Sequence, residues 1–228
     1  MKISILMPVY NEIKTIEDIL ELVGSLKIEK EIIIVDDFST DGTRDFLKEE
    51  YGEGFGEIRV FYHDKNRGKG AAIRTSIAQA KGDYVVVQDA DMEYSPKDIV
   101  TMAALVEKEN LQALYGSRFL KSWKSTSLPH FLVNRSLTAL TNMLFGGNLT
   151  DMETCYKMVK TDVIQGLDIR AERFEFEPEV TAKLLKKGID IKEIPVSYRG
   201  RSYDEGKKIG WRDGVEAVAT IIRLKRKL

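Results

Sequence analysis

Asp83-Tyr84-Val85-Val86-Val87-Gln88-Asp89-Ala90-Asp91 is a run of β-branched and aromatic residues that ends in two carboxylates one residue apart. The run is too apolar for an edge strand facing water, so it reads as a buried central strand of a parallel sheet. In open parallel sheets, ligands bind beyond the carboxyl ends of the strands. Asp89 and Asp91 are therefore expected at the rim of such a crevice. Carboxylates this close repel each other unless a cation or a donor-rich ligand lies between them. On this stretch alone, a ligand site and a local acidic turn capped by Asp91 both remain open.

Upstream, strand and helix patterns alternate with short turns. Lys2 to Val9 is a strand ending in Pro8-Val9-Tyr10-Asn11-Glu12, and a helix follows with Ile13, Ile16, Ile19, Leu20 and Val23 at helical spacing before Gly24. Glu31 to Asp37 is a second buried strand, again closing on paired acids, Asp36-Asp37. Ser39-Thr40-Asp41-Gly42-Thr43 turns into a helix through about Tyr51, Glu57 to His63 is a third strand, and Asn66-Arg67-Gly68-Lys69-Gly70 opens a helix through Ala80. This alternation predicts a parallel α/β sheet. Asn11, Glu12, Asp36, Asp37, Asp89 and Asp91 should then line one edge, as a cation and a polar ligand would need.

Downstream the order changes. Ser95-Pro96 opens a helix to about Glu109, Leu111 to Tyr115 is a strand, and Pro129 to Phe145 is an amphipathic helix. Its apolar stripe reads as Val133, Leu137, Leu140 and Leu144, with Asn134, Arg135, Thr138 and Thr141 opposite. That stripe suits either the core or a membrane surface. A strand over Cys155 to Val159, a helix over Phe174 to Lys187, a strand over Lys192 to Tyr198, a glycine-rich basic loop over Arg199 to Gly210 and a final helix complete the chain. Glu175, Glu177 and Glu179 near the start of the 174–187 helix complement its dipole.

The 228 residues carry 35 Lys+Arg against 36 Asp+Glu, a net charge of -1, so no basic field argues for nucleic acid. A single cysteine, Cys155, excludes an internal disulfide framework and a cysteine-based zinc site, and fits a reducing compartment. The N-terminus enters a strand pattern without a signal peptide, and no apolar run approaches the roughly 20 residues needed to span a bilayer. The expected chain is soluble or lies on a membrane.

Pro8 to Glu12, Val35 to Thr43, Asn66 to Gly70 and Gln88 to Asp91 resemble the family 2 glycosyltransferases. Tyr115-Gly116-Ser117-Arg118-Phe119 and Phe174 to Glu179 are similar to its dolichyl-phosphate mannose and glucose synthase branch. The resemblance spans residues 2 to about 215. It implies a GT-A fold, a Rossmann-like mostly parallel sheet with helices on both faces, as a single domain over 1–228. Residues 1–93 would form the nucleotide-sugar-binding half. Residues 94–228 would form the acceptor-binding half, including the helix over 129–145 and a basic C-terminal tail.

The same resemblance implies that a hexose moves from a UDP- or GDP-sugar with inversion. Mg²⁺ or Mn²⁺ would be held by Asp89 and Asp91 against the departing diphosphate. Asp37 would meet the base, and Pro8, Tyr10 and Glu12 would wall the nucleoside pocket beside Ala90. Lys69 lies in a Gly-Lys-Gly turn that lacks the full P-loop spacing; its glycines are expected to let the backbone approach the nucleotide. Arg201, Lys207 and Lys208, in a loop with Gly200, Gly206 and Gly210, would cover the diphosphate.

Two acceptors remain open. A polyprenyl phosphate, dolichyl or undecaprenyl, is already ionised near neutrality and needs positive charge rather than a base; Arg118 and Arg135, with Asn134 beside them, match arginines the branch uses for it. A sugar hydroxyl of a surface polysaccharide would require a general base, and Asp151 is the candidate by position. A non-catalytic nucleotide-sugar-binding module is the third reading. Arg223, Lys225, Arg226 and Lys227 favour anionic lipid. The lipid reading places the chain at the cytoplasmic face of the membrane, by peripheral contact or through a membrane partner protein.

Overall fold

The structure, a computed structural model, describes residues 1–121, 126–201 and 211–226, without the side chains of 211–213. Its centre is a strand pair, β1 (Ile3–Val9) beside β5 (Tyr84–Val87), aligned in parallel with Ile3 opposite Tyr84 and Leu6 opposite Val87. Around them a single eight-stranded sheet has the order β3-β4-β2-β1-β5-β7-β6-β8. The other strands are β2 (Lys30–Asp36), β3 (Gly54–Phe55), β4 (Ile58–Tyr62), β6 (Ala113–Ser117), β7 (Lys157–Lys160) and β8 (Ile191–Pro195). β3 and β7 pair antiparallel with their neighbours, and the remaining ladders are parallel. Six strands therefore end at one edge. The sheet runs through both halves of the chain, since β5 pairs with β7.

β2 is buried at every position and β1 at all but Pro8, because helices cover both faces of the sheet. The helices are α1 (Ile16–Gly24), α2 (Thr43–Tyr51), α3 (Lys69–Gln79), α4 (Lys97–Glu109), α5 (Leu128–Phe145), α6 (Thr161–Gln165), α7 (Phe176–Lys186) and α8 (Trp211–Arg226). β3 and α6 are too short for a periodic signal and were not foreseen from the sequence. At the edge opposite the strand ends, buried Glu31 accepts from Ser4 Oγ (2.6 Å), Lys81 N (2.7 Å), Gly82 N (3.0 Å) and Arg59 Nη2 (2.8 Å). Burial alone would raise its carboxyl. The hydrogen bonds from Ser4, Lys81 and Arg59 outweigh it and hold the group below the usual carboxylate value.

Packing corrects one expectation and adds to another, the acids placed near the start of α7. α5 buries Leu137 together with Thr138 and Thr141, while Leu132, Val133 and Met143 stand exposed. The threonines fit inside because their hydroxyls are satisfied: Thr138 Oγ1 accepts from Met152 N (3.0 Å) and Thr141 Oγ1 donates to Leu137 O (3.0 Å). The acids of α7 are likewise more than dipole partners. Glu175, Glu177 and Glu179 are all buried. Glu175 accepts from Glu172 N and Arg173 N, and Glu179 Oε2 accepts from Arg170 N and Ala171 N, so they fold the approach to the helix.

Candidate active site

The loops after β1 and β2 are sewn together at the edge where the strands end. Asn11 N donates to Ser39 Oγ (2.9 Å), Thr40 N to Asn11 Oδ1 (2.8 Å), Glu12 N to Thr43 Oγ1 (3.0 Å) and Ile13 N to Asp41 Oδ2 (3.1 Å). Asn11, Phe38 and Met92, which follow β1, β2 and β5, take positive φ of 53°, 68° and 62°. Such conformations cost of order 1–3 kcal/mol each and gather where function requires them. Asp36 is fully buried beneath, beside Arg44 (3.3 Å). Asp37 is 3% exposed; its Oδ1 meets His63 Nδ1 (2.6 Å) and Arg67 N (2.9 Å), and its Oδ2 accepts from Gly68 N (2.7 Å). Asp37 thus fixes the Asn66–Gly70 turn, and His63 enters the site unforeseen. Pro8 is half-buried, Tyr10 sits at the surface and Ala90 is buried.

The glycines of that turn also meet another part of the chain. A Cβ at Gly68 would stand 2.4 Å from Glu172 O, and one at Gly70 2.7 Å from Arg173 O. Their close approach is to the 171–173 segment, and Ala71 N donates to Glu172 O (3.0 Å). This contact brings the start of α7 to the start of α3, where Glu177 lies beside Lys69.

Lys69 Nζ bridges Asp89 Oδ2 (2.8 Å) and Glu177 Oε1 (3.3 Å). Its ammonium is held well above its usual pKa: burial opposes this, but Asp89, Cys155 and Glu177 outweigh it. Asp91 Oδ2 lies 3.1 Å from Arg201 Nη2. Arg201 also forks onto Glu12 (3.0 and 3.3 Å), while its backbone N donates to Glu93 Oε1 (2.7 Å). Glu93 accepts from Tyr198 Oη as well (2.8 Å), making it the anchor of the 198–201 segment, a role the sequence did not advertise. Lys207 and Lys208, with Gly206 and Gly210, lie outside the described residues.

Burial pushes the Asp91 carboxyl up to about 7, with Asp89 and Glu93 adding to the rise and Arg201 partly offsetting it. Desolvation is the larger cause of this rise, and the neighbouring carboxylates of Asp89 and Glu93 add like charge to it. Asp89 and Asp91 offer the oxygen ligands a hard divalent cation takes, though among the described residues no group of three or more Asp, Glu, His or Cys gathers there and each of the two is paired with a cation.

Where β6 ends at the same edge, Arg118 and Asp151 hold each other. Asp151 is fully buried. Its Oδ2 accepts from Arg118 Nε (2.7 Å) and backbone N (3.0 Å), and its Oδ1 from Arg118 Nη2 (2.7 Å). Arg135, exposed on α5, donates from Nη1 to Thr150 O (2.9 Å), so both arginines converge on Thr150–Asp151; Asn134, next in sequence to Arg135, is half-buried. Glu193 accepts from Thr150 N and Asp151 N and fixes this segment.

Residues 4–167, more than half of the chain, match the model of Glycosyl transferase family 2. The chain is a family 2 glycosyltransferase. It is 25% identical over 231 residues to undecaprenyl-phosphate mannosyltransferase of Micrococcus luteus, covering 98% of this chain and 93% of that protein. It is also 25% identical over 211 residues to dodecaprenyl-phosphate galacturonate synthase of Rhizobium johnstonii, with 91% and 62% covered. Glucosyl-3-phosphoglycerate synthase of Mycobacterium tuberculosis, crystallised with Mn²⁺, UDP and phosphoglyceric acid, superposes with a TM-score of 0.72 at 22% identity, over 98% of this chain and 78% of that one. The expected GT-A fold is therefore the fold observed. In this glycosyltransferase no helix among the described residues is long and apolar enough to cross a membrane.

Proposed function

We propose that this glycosyltransferase moves a hexose from a UDP- or GDP-sugar to a polyprenyl phosphate. The carrying observation is the Arg118–Asp151 pair. An acceptor hydroxyl would require a free base near its oxygen, and the best-placed carboxylate, Asp151, is fully buried with both oxygens taken by Arg118. An acceptor that arrives ionised has no such need. Among the described residues Arg118 spends Nε and Nη2 on Asp151, which leaves Nη1, with Arg135, to meet a phosphate. Two relatives that span most of this chain are named for polyprenyl-phosphate acceptors, which supports the same reading.

In this reaction a phosphate oxygen attacks the anomeric carbon, its bond to the diphosphate breaks, and the nucleoside diphosphate departs with the electron pair and inversion at carbon. Asp89 and Asp91 would hold Mg²⁺ or Mn²⁺, which supplies positive charge to the leaving diphosphate. Lys69 keeps Asp89 in place, and Arg201 brings the 198–201 segment to Glu12 and Asp91. The exposed Leu128, Leu132, Val133 and Met143 of α5, with Arg135 on the same helix, suit a peripheral position at the cytoplasmic membrane face, where a lipid acceptor is presented.

The test supplies UDP-glucose or GDP-mannose, Mg²⁺ or Mn²⁺, and undecaprenyl or dolichyl phosphate in phospholipid vesicles. Glycolipid is the expected product. Nucleotide release without lipid product, or transfer to a sugar hydroxyl instead, overturns the reading.

A further inference from the structure

We propose that Glu153 reads the donor, binding a hydroxyl of the hexose from the acceptor side of the crevice. The inference rests on the donor reading above. Glu153 lies in the segment that precedes β7. Because β7 runs against β5 and β6, that segment returns to the edge where those two strands end. Two residues earlier, Asp151 is clasped by Arg118; one residue later, Thr154 Oγ1 donates to Gly116 O (2.5 Å). Asp89, Lys69 and Glu177 already hold one another. Among the described residues, the buried Glu153 Oε1 has no hydrogen-bond partner. A buried polar atom without a partner calls for an explanation, and a ligand is one.

The chemistry of the group narrows what it meets. Burial and the Glu177 charge push the Glu153 carboxyl up to about 8, with Lys157 and Arg118 only partly offsetting them. Near neutrality such a carboxyl is uncharged, donating one hydrogen bond and accepting others. A sugar hydroxyl has the matching pair of functions. Glu177, whose charge acts on Glu153, adds a further acceptor on the same side, so the group suits the hydroxyl of an uncharged hexose.

The test compares nucleotide with nucleotide sugar. Dissociation constants of wild type, Glu153→Gln and Glu153→Ala are measured by calorimetry with Mn²⁺ for UDP, UDP-glucose, GDP and GDP-mannose. For the pair that the wild type binds, Glu153→Ala should weaken the nucleotide sugar roughly 3- to 10-fold, the scale of one hydrogen bond, and leave the nucleotide unchanged. Glu153→Gln, which keeps a neutral donor and acceptor, should stay within about twofold of wild type for both ligands. Unchanged nucleotide binding also shows that the variants fold. Equal weakening of nucleotide and nucleotide sugar assigns Glu153 a purely structural role and overturns the inference, as does no weakening of either. A wild type that binds neither pair removes the donor reading and this inference with it. One that binds a donor but fails to glycosylate lipid removes the acceptor reading alone.

Discussion

Replacing Arg118 by Ala should be among the most damaging single changes outside the apolar core. Asp151 is 0% exposed and the Arg118 side chain 11%, with three hydrogen bonds between the residues at 2.7, 2.7 and 3.0 Å. The variant keeps only the backbone N–H of residue 118 and leaves a carboxylate buried without its counter-charge. Breaking a buried pair from one side costs about 3–5 kcal/mol. At ~2–4 °C per kcal/mol for a chain of this size, the melting temperature should fall by roughly 6–20 °C. Removing both partners in Arg118→Leu/Asp151→Leu relieves the orphaned charge, so the double variant should be more stable than Arg118→Ala, with a coupling energy well outside additivity. The assay is urea unfolding of wild type, both single variants and the double. If Arg118→Ala costs under ~1 kcal/mol, as an exposed ion pair would, Asp151 is not sequestered and the argument against it as a base fails.

Glu31→Gln should destabilise at neutral pH and lose its effect in acid. The native carboxyl sits below 4.5, so its contribution is present above the unfolded pKa and vanishes as pH falls through the lower native value; urea unfolding between pH 3 and 7 checks this. Glu153 works the other way. Its native pKa of about 8 lies above the unfolded 4.5, so wild type should lose stability relative to Glu153→Gln as pH rises from about 4.5 to about 8, read from parallel melting curves. Gly68→Ala forces a Cβ onto Glu172 O at a φ of +96° and should cost several kcal/mol, loosening α7 from α3; native-state hydrogen exchange of α7 amides reports it. Mn²⁺ with nucleotide sugar should raise the melting temperature of wild type but not of Asp91→Asn, and EDTA should reverse the gain; an unchanged response in the variant argues against Asp91 as a ligand.

Much of the donor side was legible because its signals are local. Runs such as Ile32-Ile33-Ile34-Val35 can be buried on both faces only in a covered parallel sheet, and their acidic ends fall on one edge once the strands align. What the sequence hid depends on how distant segments meet. Nothing local marks Glu177 as the partner of Lys69, because that contact is set by Gly68 and Gly70 packing on residues 171–173. The rotation of α5 was hidden for the same reason. Thr138 looks polar until Met152 N arrives to bond its hydroxyl. The positive φ at Phe38 and Met92 also had no signal, since neither residue type favours that conformation.

These hidden contacts decide how charge is balanced in the crevice. Lys69 answers Asp89 and Glu177, Arg201 answers Glu12 and Asp91, and Arg118 answers Asp151. Each of these cations is already engaged by at least one carboxylate, and Asp91, raised to about 7 chiefly by burial and further by Asp89 and Glu93, is only partly offset by Arg201. In the proposed reaction a nucleoside diphosphate would bring further negative charge into the same space. Its approach is repulsive unless a divalent cation comes with it, or unless one of these pairs opens to release its cation. Arg118 is the costliest to release, because Asp151 would be left buried and unpaired. Arg201 is cheaper, because its carboxylate partners are partly exposed and keep other hydrogen bonds, such as Glu93 with Tyr198. A cation at Asp89 and Asp91 would take over the charge that Arg201 now supplies to Asp91, freeing the guanidinium to turn to the diphosphate that the cation brings.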